Sequence, residues 1–181
     1  MDVDVISHAL WGGIAAGTVN ERSRARKQRR HLSPWWAAFW GAFPDLFAFG
    51  PAFAFALWRW LIGAAPAWGW WMHDPGNPFV DLAPDFYRIT HSLVIFAIIA
   101  LFAWLIVKEK ALLLLGWPIH ILMDIPTHSF AFYPTPFLWP LSNFMYDGTP
   151  WTDPRVMLPN LAFLALALSV LLVRAYRRRK A

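Results

Sequence analysis

The stretch that decides the fold reads THSLVIFAIIALFAWLIV over residues 90–107, and His91 is its only ionisable side chain. Its length approaches the roughly 20 apolar residues that a helix needs to cross a bilayer. Working outward, comparable runs occupy residues 5–19, 35–63, 111–125 and 156–173. All five read as helices, which predicts an all-α, polytopic membrane helical bundle of about five segments, forming a single domain over residues 1–181. The 35–63 run carries Gly41, Pro44, Gly50 and Pro51. It reads either as two shorter helices or as one kinked span whose prolines free backbone carbonyls near Asp45. The 5–19 run is short for a full span and is preceded by Asp2 and Asp4. A cleavable signal peptide would open with Lys or Arg, so this segment is expected to be retained.

Composition agrees with a membrane reading. Hydrophobic residues make up 58% of the chain and charged residues 15%, against about 25% charged in an ordinary globular domain. A soluble enzyme is disfavoured. The chain has no cysteine, which excludes disulfides, thiolate ligands and a cysteine nucleophile, so any metal must be held by histidine and carboxylate side chains. The net charge of +5 is uneven in position. Basic residues cluster in ERSRARKQRR (21–30), in KEK (108–110) and in the tail 174–181, each beside an apolar run. Under the positive-inside rule this predicts cytoplasmic basic loops and a cytoplasmic C-terminus, with 13 of the 16 basic residues inside. Nucleic acid is not expected as a partner; membrane lipids are. Arg59, Arg88 and Arg155 fall on the outer side with Asp74, Asp81, Asp85, Asp147 and Asp153.

An ionisable residue in mid-membrane costs about 2.5–3.5 kcal/mol on insertion scales and asks for a partner or a purpose. His8, Asp45, His91, His120, Asp124 and His128 all lie in or against the apolar runs. The sharpest signal is His120-Ile-Leu-Met-Asp124-Ile-Pro-Thr-His128, an H-x3-D-x3-H pattern. Residues four apart share one helix face, and Pro126 is expected to end or bend the helix so that His128 returns from the loop. Imidazole and carboxylate donors together suit Zn²⁺ or a similar divalent cation. A rise of about 1.5 Å per residue puts His8, Asp45 and His120 roughly 14–17 Å above the inner boundary, Asp124 at roughly 20 Å, and His91 and His128 at roughly 24–26 Å. That distribution predicts a cavity opening outward.

Plainer roles exist for each residue alone: His8 as a packing histidine, Asp45 as a hydrogen-bond partner between helices. His31 and His73 read as solvated loop residues. Arg88 either anchors a helix end by snorkelling or binds a phosphate. Thr90 and Ser92 either cap a helix start or orient His91.

These residues carry a resemblance. Ser7-His8-Ala9-Leu10, Gly41-Ala42-Phe43-Pro44-Asp45, Arg88-Ile89-Thr90-His91-Ser92-Leu93 and His120 through His128, in that order, resemble the elements of the family of predicted membrane-bound metal-dependent hydrolases. The likeness runs from about residue 5 to about residue 155. The order also looks like that of the zinc-dependent phospholipase C and single-strand nuclease superfamily, whose helical active sites use zinc ions to hydrolyse phosphoesters. It implies a similar helical core with His8, Asp45, His91, His120, Asp124 and His128 as metal ligands. It also implies Asp45 and Asp124 as catalytic carboxylates, Asp45 best placed to bridge metals and steady the attacking water. Two departures matter. Those enzymes use a free N-terminal Trp, where this chain has Met1, and a later His-x-x-x-acid pair with no counterpart after His128, leaving Asp147 or Asp153 as stand-ins. One or two divalent metal ions, zinc foremost, are therefore expected.

The resulting expectation is a metal-dependent hydrolase of a bacterial inner membrane, its site opening to the outer side and its substrate a phosphoester or lipid-linked molecule. A metal or proton transporter using the same His/Asp set, or a non-catalytic membrane scaffold, are the alternatives.

Overall fold

The computed structural model describes residues 2–28, 31–64 and 76–180. Over these residues the chain forms six α-helices: α1 (Asp2–Ala25), α2 (Pro34–Leu61), α3 (Pro78–Thr90), α4 (Leu93–Val107), α5 (Gly116–Thr127) and α6 (Pro154–Lys180). A 3-10 segment (Lys108–Leu115) joins α4 to α5. The all-α architecture is the one the sequence predicts. The expected positions of His73 and Asp74, and of Arg29 and Arg30 in the basic cluster, lie outside the described residues.

The partition of side chains departs from a soluble domain's. His8, His91, His120 and Asp124 are fully buried, while Trp35, Ile106 and Leu172 are 86%, 78% and 69% exposed. Such a surface fits membrane surroundings. α2 and α6 are long and apolar enough to cross a membrane, and a third span results if α3 and the chain after it, bent by 63°, count as one. The sequence reading anticipates five. Three of its segments fall short for physical reasons: α1 is diluted by Ser7, His8 and three glycines, and α4 and α5 have only 15 and 12 residues.

Element boundaries differ from expectation in instructive ways. Of the two alternatives for the 35–63 run the structure takes the single span, one continuous helix with Pro44 and Pro51 inside it, started by Ser33, whose side chain accepts the Trp36 N–H. The 90–107 run begins at Leu93, because Ser92 Oγ accepts the N–H groups of both Val94 and Ile95 at 3.1 Å and starts a new helix there. Before that break lies α3, in what the sequence reads as an outer loop; Asn77 caps it and Pro78 occupies its first turn. Pro126 does not end α5, which runs to Thr127. α6 continues through the basic tail that the sequence reading sets outside the last helix.

The chain reverses after α4. The rings of Phe96 and Trp117 are 5.6 Å apart, whereas 21 residues of straight helix would separate them by about 31 Å. Lys108 takes a left-handed φ of 53° at the turn, so the KEK link is a hairpin tip, as its charge suggests. At the centre, α1, α2 and α5 meet at backbone contact. A Cβ on Gly41 would overlap the His8 carbonyl, and one on Gly116 would overlap the Ala37 carbonyl; only glycine permits this crossing. α6 is tied to α1 by Asn160, which accepts from Trp11 Nε1 at 2.8 Å and donates to Ser7 Oγ at 2.9 Å.

Since the chain lacks cysteine, a Phe96→Cys/Trp117→Cys pair should be joined by a short thiol cross-linker and shift its mobility on gels. A pair that stays unlinked while each thiol labels singly would contradict the hairpin.

Candidate metal centre

Four elements deliver one cluster. α1 supplies His8, α2 supplies Asp45, the break between α3 and α4 supplies His91, and α5 supplies His120, Asp124 and, at its C-cap, His128. Asp124 is at the middle. Its Oδ1 lies 2.9 Å from His8 Nε2 and 3.5 Å from His128 Nδ1; its Oδ2 lies 3.0 Å from His120 Nε2 and 3.3 Å from His91 Nε2. Asp45 Oδ1 is 3.4 Å from His91 Nε2 and 3.7 Å from His120 Nε2. The two Nε2 atoms of His91 and His120 are 3.0 Å apart.

The far ring nitrogens decide what these atoms present. His120 Nδ1 is 2.7 Å from the Gly41 carbonyl, and His91 Nδ1 is 3.1 Å from the Tyr87 carbonyl. A carbonyl only accepts, so each Nδ1 carries the proton, and a neutral ring then turns an Nε2 lone pair inward. Two such lone pairs face two carboxylates. Among the described residues, neither Asp124 oxygen accepts an aligned hydrogen bond in spite of these short approaches. Asp45, His91, His120 and Asp124 each offer a ligand atom, all within 4.8 Å of one another. This buried group could hold a metal ion, and its mixed N and O donors suit a divalent one.

His8 and His128 touch the cluster through Asp124. The ring of His8 lies 3.9 Å from that of His120, and the edge of Trp151, from the loop before α6, covers it at 5.4 Å. Tyr87 stacks on His91 at 3.7 Å. The Asp45 and His128 side chains, 12% and 10% exposed, form the accessible side, while His8, His120 and Asp124 are sealed. The depth estimate spreads these six groups over roughly 10 Å; the structure gathers them.

Thr90 and Ser92, two candidates for the same work, divide it. Thr90 Oγ1 sits 3.0 Å from His91 Nδ1 and bonds to the Phe86 carbonyl at 2.9 Å, so it orients the imidazole. Ser92 caps α4 and also donates to the Trp139 carbonyl. Arg88 is outside the cluster. It is exposed, 3.4 Å from Asp85, and lines a cavity of about 510 Å³ with Tyr87, Tyr133, Trp139 and Asn143. Tyr87 forms the wall between that cavity and His91, its hydroxyl held 2.9 Å from the Tyr133 carbonyl. Burial pushes the Tyr133 hydroxyl above the usual tyrosine range.

Neither proposed stand-in acid reaches the centre. Asp147 Oδ1 accepts the Phe130 N–H at 2.9 Å. Asp153 is engaged by Arg155, whose hydrogen bonds hold its carboxyl down at about 2. The parts sequence reasoning missed are Tyr87, Trp151 and Asn160. Gly41 was singled out as the start of the Gly41–Asp45 element, but not its carbonyl's hold on His120. Compared with family models, curated proteins and solved structures, the chain matches none.

Thr90→Val removes a group that steers His91 without touching a carboxylate. Chelator competition should show metal affinity lowered by about 10–100-fold with an unchanged helical spectrum; unaltered affinity would remove Thr90 from the site.

Proposed function

We propose that the chain is a membrane-embedded, metal-dependent hydrolase acting on a phosphoester or lipid-linked substrate. One observation carries this reading: four buried donors converge within 4.8 Å, with both inner imidazoles held by backbone carbonyls so that Nε2 faces the carboxylates. Asp45, His91, His120 and Asp124 would hold a divalent cation, zinc by the donor set, which when bound would supply a Lewis acid to activate water and polarise a phosphoryl oxygen. Asp45 is the carboxylate on the accessible side and is suited to align the water and accept its proton. Asp124 is sealed and surrounded by imidazoles, which suits it to binding and orienting. His8 and His128 flank Asp124 Oδ1 at 2.9 and 3.5 Å.

Arg88 supports an anionic substrate. It borders a cavity that shares the Tyr87 wall with His91, and a guanidinium grips phosphate through paired N–H groups. The resemblance to membrane-bound metal-dependent hydrolases supports the reaction class. In this reading all five apolar segments sit in a bacterial inner membrane, the basic loops and tail face the cytoplasm, and Asp45 and His128 open to the outer side. Membrane lipids are then both surroundings and a source of substrate.

Against a panel of vesicle-borne and soluble phosphoesters, Asp45→Asn should lower the rate by about 10²-fold or more. Arg88→Gln should act mainly on KM, as lost ground-state binding does. Undiminished turnover in Asp45→Asn would overturn the assignment, and metal-dependent flux into liposomes without hydrolysis would move the chain to the transporter class.

A further inference from the structure

Away from the His/Asp centre, α1, α6 and the start of α2, with His31 before it, enclose a groove of about 410 Å³ whose two ends differ in chemistry. One end is apolar, between Leu10 and Ile14 of α1 and Leu168 and Leu171 of α6. The other carries Glu21, Arg24 and Arg178. Arg24 Nη1 lies 3.0 Å from Glu21 Oε1, and Arg178 pairs with the same carboxylate. Two guanidiniums on one carboxylate leave a net positive charge. Each has five N–H donors, and with side chains 49% and 41% exposed both keep donors facing outward. Trp35, 86% exposed, lines the same end and suits the interfacial level of a bilayer.

Length fits as well. From Leu10 to Arg24 α1 rises about 21 Å, which is half of the roughly 40–45 Å of a bilayer with its headgroups. Between those ends Gly13 and Gly17 line the groove without side chains, and a Cβ on Gly17 would come 3.0 Å from Leu171 Cδ1. We propose that this groove binds one anionic phospholipid, its phosphate on Arg24 and Arg178 and an acyl chain along Gly17 and Gly13 towards Leu10. Charge selects the headgroup, and a one-leaflet length selects a lipid over a soluble anion. The site rests on α1 and α6 lying in a membrane and does not depend on the metal centre.

The full chain, reconstituted in nanodiscs of equal phosphatidylglycerol and phosphatidylcholine and released for native mass spectrometry, should retain phosphatidylglycerol in preference by about fivefold or more. Glu21→Gln/Arg24→Gln/Arg178→Gln should abolish that preference while leaving helical content intact. Gly17→Leu, filling the groove, should reduce retention of both lipids. Millimolar inorganic phosphate should not displace the bound lipid. Equal retention of the two lipids, a preference that survives the triple variant, displacement by phosphate, or a lipid-free dimer occupying this face would each overturn the proposal.

Discussion

The structure is organised around the burial of Asp124. A carboxylate with no exposure, placed among four imidazoles, would lose several kcal/mol of hydration on entering a low-dielectric interior. A second carboxylate, Asp45, shares two of those imidazoles, and like charges this close need a positive charge between them or beside them. The neighbouring architecture supplies the means. Gly41 brings α1 against α2 and gives its carbonyl to His120; Gly116 brings α5 into the same crossing; the break at residues 90–92 lets His91 turn inward. Remove any of these and the cluster loses a side.

Around this centre, rigidity is graded. The outer loop after α5 is strapped back onto it: the Gly148 N–H reaches the His128 carbonyl at 2.7 Å and the Thr149 N–H reaches that of Pro126 at 2.9 Å. Those bonds satisfy carbonyls that the end of α5 leaves free and hold His128 at the accessible edge. α6, by contrast, rests mainly on α1 and buries little of its apolar face. It can tolerate variation that the α1, α2, α5 crossing cannot, because near the centre it is held by the hydrogen bonds of Asn160 with Trp11 and Ser7.

Much of the site was legible in the sequence because a membrane makes polar residues conspicuous. His8, Asp45, His120 and Asp124 stand out among apolar neighbours, and the four-residue spacing of His120 and Asp124 sets them on one face without knowledge of the fold. What could not be read were features made by backbone geometry. α3 was hidden by its amphipathic pattern and by Pro84, while Pro44 and Pro51, which local rules treat as breaks, left α2 open between one helix and two. The 3-10 stretch KEKALLLL carries no pattern that distinguishes it from an α-helix. The partners that lock the imidazoles are main-chain carbonyls of Gly41 and Tyr87, whose roles depend on proximity created by folding. Arg88 was identifiable as a cation near the site but lies one wall away from it.

The central claim is that the buried His/Asp cluster is a metal site. It is tested most directly by elemental analysis of purified chain, stripped with chelator, reloaded with zinc and desalted, wild type beside His120→Ala. The account predicts about one or two bound equivalents in the wild type and a fall to background in the variant. Wild-type protein without stoichiometric metal after loading, or a variant that retains as much as the wild type, would contradict it.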